Sequence, residues 1–140
     1  EIFLKKKNIT FINVSKATSF ESTKHALKNN RNIYWIFGGL PKLGDKFNFK
    51  GIGSNIIKSF IIGKKTTYFK NQIKNKIKYK ISYNLKDAIK DVFEELILSK
   101  SDKVTILFSP ASASYDQFEN FVDRGNQFKK AIKDYAKRFL

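Results

Sequence analysis

The sequence predicts an α/β domain built on a mainly parallel, three-layer sheet, and three observations lead there. Strand-like and helix-like segments alternate along the chain, the pattern of parallel strands joined by crossover helices. Two runs, Asn32-Ile33-Tyr34-Trp35-Ile36-Phe37 and Lys103-Val104-Thr105-Ile106-Leu107-Phe108, lack the alternation of a half-exposed strand and suit strands buried on both faces. A length of 140 residues is that of one domain able to bury its own core, and no repeat, linker or second domain is visible.

Taken in order, residues 8–14 (Asn-Ile-Thr-Phe-Ile-Asn-Val) are short, β-branched and aromatic, and predict a strand. After the loop Ser15-Lys16-Ala17, Thr18 with Glu21 three residues on forms a capping box that opens a helix to about Asn29. The strand over residues 32–37 is stopped by Gly38-Gly39, and a loop rich in Gly, Pro and Lys runs to Gly53. A short helix is expected over 54–58 and a brief strand over 59–62. Residues 76–83 alternate strictly, which predicts a half-buried strand with Ile77, Tyr79, Ile81 and Tyr83 inward and Lys76, Lys78, Lys80 and Ser82 outward. Those lysines would discourage edge-to-edge pairing. Asn84 can cap the next helix, whose stripe is Leu85, Ala88, Ile89, Val92, Phe93, Leu96 and Ile97. A strand over 103–108 follows. The last helix is expected to begin near Tyr115, to break at Gly125, and to continue through Phe128, Ala131, Ile132, Tyr135 and Phe139.

Composition removes several function classes. With no Cys there is neither a disulfide nor a thiolate metal site, and a single His, His25, leaves no His-based metal site or triad within the chain. No run approaches the roughly 18 apolar residues of a spanning helix. The opening Glu1-Ile2-Phe3-Leu4-Lys5-Lys6-Lys7 puts its charges after its apolar residues, the reverse of a secretory signal, and the absence of an initiating Met fits a piece of a longer protein. The formal charge of +16 gives affinity for polyanions through counterion release. Yet it is carried by Lys scattered through every segment, with Arg only at 31, 124 and 138, whereas base readers and phosphate clamps lean on the arginine fork. Non-specific adhesion to nucleic acid is the expectation.

In open sheets of this kind ligands bind beyond the carboxyl ends of the strands. Three loops there carry small and polar residues: Ser15-Lys16-Ala17-Thr18, Gly38-Gly39-Leu40-Pro41-Lys42, and Ser109-Pro110-Ala111-Ser112-Ala113-Ser114. Lys16, Lys42 and the free N–H groups opening the last helix favour an anion such as a carboxylate or phosphate. The loops hold no carboxylate pair, no nucleophile with a base and no metal cluster, so the site looks built for binding. Gly63-Lys64-Lys65-Thr66-Thr67 imitates the end of a phosphate loop, but Lys58 occupies the first Gly position, and Gly51-Ile52-Gly53 lacks its third Gly. His25, between Lys24 and Ala26 in a helix, reads as a surface residue.

The stretches Phe11-Ile12-Asn13-Val14-Ser15-Lys16-Ala17-Thr18-Ser19, Tyr34-Trp35-Ile36-Phe37-Gly38-Gly39 with Pro41-Lys42, and residues 108–121 with Arg124-Gly125 resemble the C-terminal domain of the Mur ligases, in particular of the branch that adds D-glutamate. Order and spacing agree across nearly the whole chain. The resemblance implies a Rossmann-like unit that holds the incoming amino acid in a bacterial cytoplasmic enzyme of peptidoglycan synthesis. It implies separate central and N-terminal domains for ATP with Mg2+ and for the UDP-sugar. There ATP phosphorylates the carboxylate of UDP-N-acetylmuramoyl-L-alanine and the D-glutamate amine attacks the acyl phosphate. The chain by itself would be one domain, residues 1–140, and inactive. On the same resemblance Thr18, Lys42, Ser114, Tyr115 and Phe121 bind D-glutamate, and Lys16 lies near the nucleotide phosphates.

Val14 and Ser19 depart from the family, which usually has Asp and Asn there; Val14 removes a polar contact toward the nucleotide. The residues have plainer readings too. Ser114 with Gln117 is also a capping box, Phe121 at helical spacing is also a core residue, and Lys42 is one solvated lysine among many. Two other functions remain: a basic nucleic-acid module using the lysines and tyrosines of residues 76–83, and the equivalent domain of another Mur ligase.

Overall fold

The computed structural model describes residues 1–6, 8–98, 103–113 and 119–139. Its elements are β1 (Ile2–Lys6), β2 (Ile9–Asn13), α1 (Phe20–Lys28), β3 (Ile33–Gly38), a 3-10 turn (Gly53–Asn55), β4 (Ile56–Ile62), α2 (Thr66–Ile73), β5 (Tyr79–Tyr83), α3 (Leu85–Leu98), β6 (Val104–Phe108) and α4 (Phe121–Phe139). The strands form one sheet in the order β1-β2-β6-β3-β4-β5. Every neighbouring pair is parallel except β1 with β2.

The two apolar runs take the middle of the sheet. Every residue of β3 and of β6 is buried, because helices cover both sides of them. Alternate side chains feed two cores. Trp35, Phe37, Ile61 and Leu107 meet α1 and α2 through Phe20, Leu27, Phe69 and Ile73. Tyr34, Ile36, Phe60 and Phe108 meet α3 and α4 through Ile89, Val92, Phe128 and Ile132. The result is the expected three-layer, mainly parallel domain.

Several expectations need correction. The first residues form a strand, β1, which pairs antiparallel to β2 and covers its outer edge. Helix α1 starts one turn position later than expected: Ser19 is its cap, in a reciprocal box with Ser22, so Thr18 and Glu21 do not perform that role. The helix expected over 54–58 is a single 3-10 turn, and the strand after it begins three residues early, at Ile56. The segment after Gly63 folds as the helix α2.

In β5 the alternation is inverted in part. Ser82 is buried and Tyr83 is 62% exposed, with Tyr83 at φ 67. Ser82 can be buried because its hydroxyl donates to Asp91 Oδ2 on α3 at 2.8 Å, and Lys80 reaches the same carboxylate at 2.9 Å. Ile81 packs on the other side, so both faces are partly covered and no purely outward face exists. Asn84 does cap α3, accepting from the Asp87 N–H at 2.8 Å, but Ile97 at the end of the stripe is exposed. Helix α4 as described runs from Phe121, where Asn120 accepts the Asp123 N–H at 2.9 Å, and passes Gly125 without the expected break; the expected start near Tyr115 lies outside the described residues.

Candidate functional site

Register brings the candidate loops to one edge. Asn13 of β2 and Ile36 of β3 both stand level with Phe108 of β6, so the chain leaves three adjacent strands at the same height. The loops are then tied to one another. The Gly38 N–H donates to Pro110 O at 3.0 Å, and Leu40 and Ala113 exchange a reciprocal pair at 2.9 and 3.0 Å. Trp35 Nε1 donates to Ser109 O at 2.8 Å, while the Ser109 hydroxyl donates to Thr23 Oγ1 of α1 at 2.9 Å. A side chain at Gly39 (φ 135) would run into the Ala113 carbonyl and lie 2.7 Å from Ser112 Oγ, so this approach requires glycine.

Arg124 completes the linkage from α4. Its guanidinium is fully buried and donates from Nη1 to Ser112 O at 2.8 Å and from Nη2 to Ser15 O at 2.6 Å. One side chain thus fixes the loop after β2 to the loop after β6, using the fork that lysine lacks. Gly125, next to it, lets α4 lie against the first loop. A Cβ there would overlap Ser15 Oγ and come within 2.9 Å of Asn13 Nδ2. Gly125→Ala should therefore destabilise the chain by about 1–2 kcal/mol, overpacking outweighing the roughly 1 kcal/mol gained in helix propensity. A urea midpoint equal to or above that of the parent would show that the loop yields.

Between the loop after β2 and α4 lies a cavity of about 380 Å³, lined in part by Asn13, Val14, Lys16, Phe121, Asn126 and Lys129. Lys16 is exposed at this cavity and Phe121 is 40% exposed there, so Phe121 is not a core residue. Thr18 and Lys42 are exposed, on the loops after β2 and after β3, and neither lines this cavity. Thr18 sits just before the α1 cap, and Lys42 in a turn closed by the Asp45 N–H to Lys42 O at 3.0 Å. Ser114 and Tyr115 lie outside the described residues. Val14 is half-buried beside the first core, and Ser19 serves as the helix cap.

A larger cleft of about 790 Å³ opens at the opposite end, lined by Lys28, Arg31 and Lys103 near the amino ends of the parallel strands and by Lys5 near the carboxyl end of β1. None of Lys16, Thr18, Lys42 and Phe121 lines it. The ammonium of Lys80, on the β5 edge, has its proton affinity raised by its hydrogen bond to Asp91. It is remote from the loops.

Chemically, the edge presents the ammoniums of Lys16 and Lys42 and the exposed Thr18. The Ser109 and Ser112 hydroxyls are buried and hydrogen-bonded inside the domain, and the Glu119 and Asp123 N–H groups are taken by Asp123 and Asn120. Among the described residues no group of three His, Asp or Glu could hold a metal ion. Nor is any described helix long and apolar enough to cross a membrane. Such an arrangement can hold and orient an anion. Sequence reasoning missed Arg124 as the tie, although a signal existed: it precedes Phe128 and Ile132 by four and eight residues, on the stripe that α4 buries. Asp45, which accepts the Phe20 N–H at the start of α1, had no comparable signal.

No family model matches the chain. Curated relatives do. The chain is 44% identical over 139 residues to a protein of Wolbachia sp. subsp. Brugia malayi (strain TRS) named UDP-N-acetylmuramoylalanine–D-glutamate ligase, covering 99% of the chain and 28% of that protein. Proteins of the same name from Mesorhizobium japonicum and Rickettsia prowazekii (strain Madrid E) are each 37% identical, over 91% and 90% of the chain. The chain spans little more than a quarter of the length of these relatives.

Proposed function

We infer that this chain, a homologue over nearly its whole length of the UDP-N-acetylmuramoylalanine–D-glutamate ligases, is the C-terminal, amino-acid-holding domain of a longer enzyme of that kind. The complete enzyme joins D-glutamate to UDP-N-acetylmuramoyl-L-alanine in the bacterial cytoplasm, as a step of peptidoglycan synthesis. ATP with Mg2+, held mainly by the rest of that protein, supplies the activation of the sugar-linked carboxylate. The residues of this chain bind and orient.

The observation that carries the reading is the loop edge itself: three loops locked together by Arg124 and the Leu40–Ala113 bridge, offering Lys16, Thr18 and Lys42. In the reading, Lys42 and Thr18 hold the D-glutamate carboxylates together with Ser114 and Tyr115, and Phe121 flanks the ligand. Lys16, at the cavity beside α4, faces the nucleotide phosphates when the complete enzyme closes.

The test is Lys42→Ala in the complete ligase. Loss of one charge-assisted hydrogen bond should raise the KM for D-glutamate about tenfold or more. The KM for ATP should stay within about twofold, since uniform binding of one substrate is what is removed. An unchanged KM for D-glutamate would take Lys42 out of the site and leave the reading without its principal cation.

A further inference from the structure

We propose that Asp45 is a positioning residue that fixes the spacing between Thr18 and Lys42, and so sets the grip on D-glutamate; this rests on the reading of the site given above. The carboxylate of Asp45 accepts the Phe20 N–H at 2.8 Å, the first residue of α1 and two residues from Thr18. It is also well placed against the positive end of that helix. The backbone of Asp45 holds the other side. Its N–H closes a turn on Lys42 O at 3.0 Å, with Gly44 at φ 79 in the third position, as a type II turn requires.

The carbonyl of Asp45 accepts two more hydrogen bonds, from Tyr68 Oη and Gln72 Nε2 of α2, each at 3.1 Å. Gln72 turns its other atom to the chain as well, Oε1 accepting the Phe47 N–H at 3.2 Å. One residue therefore joins three things: the start of α1, the turn carrying Lys42, and α2. The turn itself is open, with Lys42 exposed and Leu43 wholly so, while Phe47 and Phe49 just after it are buried. Beyond the turn, Phe47 and Phe49 also pack on the Phe20 ring, at 4.5 and 5.2 Å between centroids, so the loop stays docked without the carboxylate. What the carboxylate adds is the direct polar tie from the turn of Lys42 to the backbone next to Thr18.

The experiment compares Asp45→Ala, Asp45→Asn and Lys42→Ala in the complete ligase by steady-state kinetics, with thermal unfolding as control. Asp45→Ala is expected to raise the KM for D-glutamate about tenfold, the equivalent of one charged hydrogen bond. The KM values for ATP and the UDP-sugar, and kcat, should stay within about twofold. Asp45→Asn keeps an acceptor oxygen for the Phe20 N–H and should recover most of the loss.

If Asp45→Ala does not fold, Gly44→Ala decides. A Cβ at Gly44 meets nothing within 4 Å, so it disturbs only the turn, and the same selective rise in KM is expected. A rise with Lys42→Ala but none with Asp45→Ala and none with Gly44→Ala overturns the positioning role alone. An equal rise for all three substrates, with a lowered Tm, overturns it too, since that is what a purely structural residue gives. If Lys42→Ala leaves the KM for D-glutamate unchanged, the reading of the site fails and the role of Asp45 falls with it.

Discussion

Gly38→Ala is expected to cost the chain much of its stability, about 3–6 kcal/mol out of the roughly 5–15 kcal/mol of a typical domain. Gly38 ends β3 at φ 133, which an L side chain rarely adopts. Its Cβ would overlap the Ile62 carbonyl oxygen and lie 2.9 Å from the carbonyl carbon. The obstacle is backbone in the neighbouring strand, where Gly38 and Ile62 are paired, so no flexible side-chain end can give way. Urea unfolding of the variant should show a collapsed midpoint, or the chain should accumulate as insoluble protein. A midpoint within about 0.3 M of the parent, against the usual m of 1–3 kcal/mol/M, would mean that β3 and β4 can separate at that end without harm.

Arg124→Met should come next, at about 2–5 kcal/mol, because it removes the charge-assisted hydrogen bonds to Ser112 O and Ser15 O, and a longer one to Ala17 O, and leaves those carbonyls without these donors. The loss is moderated because the buried charge, costly in itself, goes as well. Arg124→Lys separates the two contributions. It keeps the charge but cannot span both carbonyls, so it should recover only part of the stability. In both variants the amide signals of residues 15–17 and 112–113 should broaden or shift more than those of β4 and β5. If Arg124→Lys matches the parent in urea, the fork is not what joins the loops.

The central strands and the three-layer class could be read from the chain because burial on both faces leaves an unbroken apolar run. What could not be read depended on partners distant in sequence. In β1, Ile2-Phe3-Leu4 is followed by charged residues, and only β2 alongside makes it a strand. Helix α2 is eight residues long, opens on Thr66-Thr67 and has no side-chain cap at Lys65, so no local start signal exists. The pattern of residues 76–83 misled because it assumed one covered face, and Asp91 on α3 makes a home for Ser82 and Lys80 on the other.

The candidate site divides in the same way. Its loops were located from the rule that ligands lie at carboxyl ends, and their glycines from sharp stops after apolar runs. The ties between loops were not visible. Arg124 acts through backbone carbonyls more than a hundred positions away in the case of Ser15, and carbonyls carry no residue identity to read. Asp45 likewise acts on the Phe20 N–H.

The place of β6 in the sheet bears on how the chain acquires its structure in time. β2 and β3 have no ladder between them; each pairs with β6, the last strand among the described residues. Until Val104–Phe108 arrives, the hairpin of β1 and β2 and the group β3-β4-β5 are separate pieces, each with a bare apolar edge. Pairings across some 70 to 95 residues must close late, which slows folding relative to a domain of local contacts. A ribosome would have to deliver nearly the entire domain before the sheet could become continuous, and the nascent chain would depend on its lysines, not on its packing, to stay apart from its neighbours.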